Sequence, residues 1–155
     1  RFQTSESFGR RVLFLEHVQD PGNIGTLLRS ALAFSFDTVV LDRCADLYSP
    51  KVLRATQGAL FDLNVHFLSL EAFQARCPSH TLIASSPSGT SPKTKPTPPY
   101  ALMLGNEGSG LSKQALKAAQ STLHVPTSGV ESLNVAVAGS ILMHRLNEED
   151  PFFRR

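Results

Sequence analysis

Tryptophan is absent from the 155 residues, and tyrosine occurs only twice. Cysteine is scarce too: Cys44 and Cys77 lie far apart, with no CxxC pair. That excludes a disulfide scaffold and a cysteine-based zinc site, and it suits reducing surroundings. The five histidines are scattered and form no HxxxH pair, so a metal enzyme is not expected. No apolar run approaches the ~18–20 residues that a membrane span needs, so no membrane association is expected. The first residues do not spell a basic-then-apolar leader with a small-residue cleavage site. The chain opens at Arg1 and not at Met, and a portion of a longer protein is the expectation.

What is present suffices for a core. Hydrophobic residues make up 41% and charged residues 18%, which argues against global disorder. Net charge is +2, a balance that tolerates nucleic acid without demanding it. Arginine outnumbers lysine two to one, and Arg suits bidentate phosphate contacts as well as surface ion pairs.

Along the chain, β-prone and helical patterns alternate. Residues 1–11 are polar and read as a tail or linker. Residues 12–18 (VLFLEHV) read as a buried strand, and DPGN breaks it. Residues 24–34 carry Ile24, Leu27, Leu28, Ala31 and Leu32 at helical spacing, with Asn23 as the expected N-cap. Residues 38–42 (TVVLD) read as the next strand. Ser49-Pro50 opens a helix to about 57, a strand spans 63–67, and Ser69 caps a short helix. Strands are expected at 81–84, 100–104 and 122–125, and helices at 113–120 and 134–146. The last helix is apolar at 135, 138, 141, 142 and 146. Between them, 86–99 is rich in proline and reads as a loop. This order implies an α/β fold: a mostly parallel sheet of about six strands with helices on both faces.

In such sheets, chemistry gathers beyond the strand C-termini. Three loops follow strands directly: 19–29 (QDPGNIGTLLR), 105–112 (GNEGSGLS) and 126–134 (PTSGVESLN). Gly22 and Gly25 let backbone approach a ligand, although a turn with a cap explains them equally. Arg29 falls on or beside an apolar helical face, where a charge needs a partner or a task. Glu107 sits among glycines, able to pair with an arginine or to orient a loop. Ser132 and Asn134 precede a helix that either could cap. None of the three loops holds an aromatic residue.

Together, DPGNIGTLLR (20–29), GNEGSGL (105–111) and VPTSGVESLNVAVA (125–138) resemble the three motifs of the SpoU/TrmH-type methyltransferases of the SPOUT superfamily. The intervening SPKVLRATQGALFDL (49–63) is similar as well, and the resemblance spans about 12–147. It implies an α/β-knot, a fold with a deep C-terminal trefoil that ordinary topology rules would not suggest. It also implies S-adenosylmethionine as cofactor, a homodimer, and methylation of a ribose 2′-oxygen in RNA, with ribosomal RNA favoured over transfer RNA.

By matching position, the resemblance makes Arg29, Asn23, Glu107, Ser132 and Asn134 catalytic. It gives cofactor binding to Leu104, Gly105, Asn106, Gly110, Val125, Pro126, Leu133 and Asn134. Arg10, Arg11, Arg29, Arg54, Lys93 and Lys95 are the expected RNA contacts. No metal is implied. The expected domain is 12–147, with a tail at 148–155 and an N-terminal tail that leads from an RNA-binding region. The expected compartment is the cytoplasm, with a mitochondrion or plastid as the alternative. A transfer-RNA methyltransferase, a silent RNA-binding paralogue and a nicotinamide dehydrogenase are the rival readings. The order G-x-x-G-x-G at 105–110 speaks against the last, which uses G-x-G-x-x-G.

Overall fold

A computed structural model describes residues 7–89 and 96–147. Its strands are β1 (Arg11–Glu16), β2 (Thr38–Asp42), β3 (Asn64–Phe67), β4 (Thr81–Ser85), β5 (Tyr100–Leu104) and β6 (Ser121–Leu123). Its helices are α1 (Pro21–Ala33), α2 (Pro50–Thr56), α3 (Leu70–Arg76), α4 (Lys113–Ala118) and α5 (Val135–Asn147). A 3-10 turn, Ala59–Asp62, follows α2; sequence periodicity does not announce so short an element. Lys93, Lys95 and 148–155 lie outside the described residues.

The sheet order is β3-β2-β1-β5-β4-β6, and every neighbouring pair is parallel. The sheet is thus wholly, not mostly, parallel. All the strands therefore end at one edge, and the loops that follow them converge there. Burial on both faces explains the unbroken apolar runs. Leu13 and Leu15 of β1, with Leu102 and Leu104 of β5, join Ile24, Leu27 and Leu28 of α1 and Leu142 and Met143 of α5 on one side. Val12, Phe14, Ala101 and Met103 point to the other side, against Leu70 and Phe73 of α3 and Ala115 of α4.

Three local expectations change. Helix α1 begins earlier than expected, because Asp20 is its N-cap and Pro21 presets the first turn. The Asp20 carboxylate accepts the Asn23 N–H at 3.0 Å, so Asn23 lies inside the first turn and its side chain is free for other work. Helix α5 is rotated. It buries Ala136, Gly139, Leu142, Met143, Leu146 and Asn147, while Val137 is exposed. Gly139 sets that rotation: a Cβ there would lie 2.5 Å from Leu104 and 2.7 Å from Leu27. The Ser30 and Ser140 hydroxyls, 2.7 Å apart, join α1 to α5.

The described part of the supposed tail is also folded. The Phe8 ring stacks on His66 with centroids 4.2 Å apart, and the Gly9 N–H donates to Thr38 Oγ1 at 3.0 Å. β1 starts at Arg11, paired with Tyr100, and it ends where His17 turns to a φ of 56°.

Helices α1 and α2 touch at Gly25, where a Cβ would come 2.1 Å from Ala55 Cβ and 2.9 Å from the Ala55 carbonyl carbon. Backbone cannot step aside as a side-chain tip can. Gly25→Ala is expected to cost ~1–3 kcal/mol by overpacking, read as a lower urea midpoint. An unchanged midpoint would contradict this packing.

Candidate active site

The loop after β5 closes on itself. Asn106 and Gly110 exchange backbone hydrogen bonds of 3.1 and 2.9 Å, and Gly110 takes a φ of 71°. Asn106 Oδ1 accepts the N–H groups of Gly108 and Ser109 at 2.9 and 3.1 Å, while its amide donates to the His17 carbonyl at 2.8 Å. Gly105 has no room for a side chain: a Cβ would lie 2.2 Å from Leu111 N.

This ring holds Glu107 against the end of β1. Its carboxylate accepts the Gln19 N–H at 3.0 and 3.2 Å, the Asp20 N–H at 2.6 Å and the Asn23 amide at 3.3 Å. Partial burial opposes the charge, but the backbone donors Gln19 and Asp20, with Asn23, outweigh it and hold the pKa below the usual value. Asn23, buried in the first turn of α1, accepts the Asn134 amide at 3.0 Å. Asn134 Oδ1 in turn accepts the N–H of Ala136 at 2.8 Å and of Val137 at 3.3 Å, capping α5. Glu107, Asn23 and Asn134 therefore tie all three loops together.

Beyond the ends of β4, β5 and β6 lies a cleft of about 240 Å³. Leu104, Gly105, Asn106, Gly110, Val125 and Leu133 line it, as do Glu107 and Ser132. Pro126 and Asn134 are not on its wall; Asn134 acts from behind, through the cap. Sequence reasoning missed Ser85, Ser86, Pro87, His124, Thr127 and Glu131. Ser85 ends β4 and the next two residues follow it, so the strand-end rule could have found them had they not merged into the proline-rich loop.

The arginines fall elsewhere. Arg29 lies eight residues beyond Pro21, about 12 Å down α1 at 1.5 Å per residue. Its side chain is exposed, off the cleft wall, and pairs with no described carboxylate, Glu107 included. The burial expected for it on the apolar face is absent, since α1 buries Leu27 and Leu28 and turns residue 29 outward. Arg10 and Arg11 stand at the start of β1, the opposite edge of the sheet, and Arg10 donates to the Pro98 carbonyl at 3.2 Å. Arg54 is exposed on α2.

Among the described residues, no group of three or more His, Cys, Asp or Glu is placed to hold a metal ion, and no helix is long and apolar enough to cross a membrane. The Cys44 thiol donates to the Leu15 carbonyl at 3.3 Å, and burial pushes its pKa up to about 11.

Residues 10–144 match the model of the SpoU rRNA methylase family. The chain belongs to that family. It is 38% identical over 88% of its length to the 23S rRNA (guanosine(2553)-2′-O)-methyltransferase RlmP of Bacillus subtilis (strain 168), and 33% identical over 86% to human rRNA methyltransferase 1, mitochondrial. It covers 58% of the first and 44% of the second, so it spans about half the length of these curated relatives. Among solved structures, the AdoMet-bound rRNA methyltransferase of Sinorhizobium meliloti superposes with a TM-score of 0.87 at 26% identity, covering 97% of this chain and 62% of that one. The family and this likeness make the fold an α/β-knot. In this chain the C-terminal piece is the passage from β6 through 124–134 into α5, packed on α1 and β5.

The depressed Glu107 pKa has a definite sign. Its stabilisation is complete above the ordinary carboxylate value near 4.5 and is lost as pH falls through the lower folded value. Melting temperatures from neutral pH to about pH 3 should show the gap between wild type and Glu107→Gln shrinking toward acid. A gap that does not change with pH would contradict the carboxylate's part in this tie.

Proposed function

We propose that the chain is the catalytic domain of an S-adenosylmethionine-dependent methyltransferase that modifies a ribose 2′-hydroxyl of ribosomal RNA. One observation carries the reading: the second and third family loops wall a single cleft at the sheet's C-terminal edge, and Glu107, Asn23 and Asn134 lock the first loop to them.

The cleft suits that cofactor. Leu104, Val125, Leu133 and Ala138 form an apolar wall for a flat heterocycle, and the loop backbone supplies hydrogen-bonding groups. Among the described residues, the cleft wall carries the carboxylates Glu107 and Glu131 and no lysine or arginine, which favours a cationic sulfonium. The residues that would hold it are Leu104, Gly105, Asn106, Gly110, Val125 and Leu133, with Pro126 and Asn134 shaping the loop behind them. When bound, the cofactor supplies an electrophilic methyl on a sulfonium leaving group.

The chain's own task is to bring a hydroxyl into line and to stabilise the oxyanion that develops. Ser132 is exposed at the cleft wall and can orient the ribose. Arg29 stays protonated, so it acts as an electrostatic clamp on phosphate and alkoxide and not as a base. It lies about 12 Å down α1 from Pro21 and off the cleft wall of its own protomer. A two-fold partner would bring a second Arg29 to that cleft, and exposed Leu32 and Val137 on α1 and α5 offer apolar surface for the contact. The reading places the protein where ribosomal RNA is: the cytoplasm, with an organelle as the alternative.

Saturating S-adenosylmethionine should raise the melting temperature, by ~2.7 kcal/mol of stabilisation at a hundredfold excess over Kd. Arg29→Ala and Arg29→Lys should keep that shift and lose turnover, because neither restores the planar fork. No shift for folded wild type would contradict the reading.

Sharing of sites is tested by mixing. Arg29→Ala and the cleft-filling Ser132→Trp should each be inactive, yet together recover about a quarter of wild-type activity, the statistical yield of one working cleft in half the dimers. No recovery would confine Arg29 to its own protomer.

A further inference from the structure

A second cleft, of about 290 Å³, opens at the same edge of the sheet beyond β2 and β3. Phe67, the last residue of β3, forms one wall and is 55% exposed. Arg43 lines it too, and the structure holds that residue in place. Its backbone is left-handed, with a φ of 50°, and its carbonyl accepts the Gln19 amide at 2.8 Å. Its Nε donates to Asp42 Oδ1 at 3.1 Å. The Asp42 side chain is only 7% exposed, whereas that of Arg43 is 73% exposed. A buried carboxylate thus steers an outward guanidinium while leaving its plane and terminal N–H groups to solvent.

This cleft is joined to the first. The backbone N–H of Gln19 donates to Glu107, while its side chain holds Arg43. The His17 N–H donates to the Asp42 carbonyl at 2.9 Å, and Ala45 N–H to the Val18 carbonyl at 3.0 Å. In the order β3-β2-β1-β5-β4-β6, the β3–β2 and β5–β4 gaps are three strand spacings apart. That is about 14 Å at ~4.8 Å per strand. About four stacked nucleotides, at ~3.4 Å each, cover that distance.

We propose that the second cleft is a nucleobase subsite: it takes an unpaired base of the substrate RNA, a few nucleotides from the methylated ribose, against the Phe67 ring and the Arg43 guanidinium. The inference rests on the RNA-methyltransferase reading above and adds to it a place where the strand is gripped. Flat π-faces stack on aromatic rings and on guanidinium planes, and only unpaired bases present them. The three family loops have no aromatic side chain, and Phe67 supplies one beside them. Because any base has a π-face, the grip favours single strands over duplex and discriminates weakly among bases.

The test uses a short unpaired oligoribonucleotide carrying iodouridine, cross-linked by light to the protein. The expected cross-link falls on the peptide that contains Phe67 and disappears when the oligonucleotide is annealed to its complement. Phe67→Ala should weaken single-strand binding about 5- to 100-fold, the range of one base–aromatic stack, whereas Phe67→Trp should keep it. Arg43→Lys should weaken it as well, since an ammonium has no plane to stack. The cofactor-induced melting shift should be the same in all three variants. Cross-links confined to other residues, or wild-type binding by Phe67→Ala, would overturn the subsite. Loss of the cofactor shift in wild type would instead overturn the methyltransferase reading.

Discussion

Glu107 accepts N–H groups from Gln19, Asp20 and Asn23, and Asn23 accepts one from Asn134. This relay of a carboxylate and two amides fixes the ends of β1 and β5 and the start of α5 relative to one another. Each group is spent on another loop: Glu107 is filled by donors, Asn23 uses both ends of its amide, and Asn134 caps a helix with the end left over. A cleft walled by glycine-rich loops would otherwise be poorly defined, because such loops have little packing of their own. The relay substitutes hydrogen bonds to backbone for the missing side-chain core.

The parallel sheet makes the relay possible. Six strands pointing one way deliver their loops to one edge, and helices on both faces bury the strands between them. The same geometry carries Arg29 away from that edge, since α1 runs back from its start at Pro21. The cleft wall is drawn from loops, from the ends of β4 and β5 and from the start of α5, while the arginine lies partway down α1. The basic residues at the start of β1, Arg10 and Arg11, lie at the edge opposite the cleft.

Much of this was legible in the residues. The stretches 12–15, 39–41 and 100–104 are unbroken apolar runs because both faces are covered, and they read as buried strands. Ser49 and Ser69 are N-caps as expected, each accepting an N–H three residues on, and Ser112 caps α4 in the same way. What escaped notice depended on contacts across the chain. Asn23 has the chemistry of a cap, but Asp20-Pro21 starts the helix first and frees Asn23 for Glu107. The rotation of α5 is set by Gly139 against Leu27 and Leu104, and no periodicity within the helix reveals that. Phe8 lies in a polar stretch and packs on residues more than fifty positions away. Ser86 and Thr127 reach the cleft only because β4 and β6 are neighbours, a pairing that spacing does not encode.

The central claim is that the methyl group goes to a ribose 2′-oxygen. The direct measurement is to incubate the protein with unmodified ribosomal RNA and S-adenosylmethionine labelled in its methyl group, then hydrolyse the RNA completely in alkali. Alkaline cleavage needs a free 2′-hydroxyl, so a methylated ribose protects its own phosphodiester. The account predicts that the label survives in alkali-stable dinucleotides and is absent with Arg29→Ala. Label released in ordinary mononucleotides, as methylation of a base would give, would contradict it.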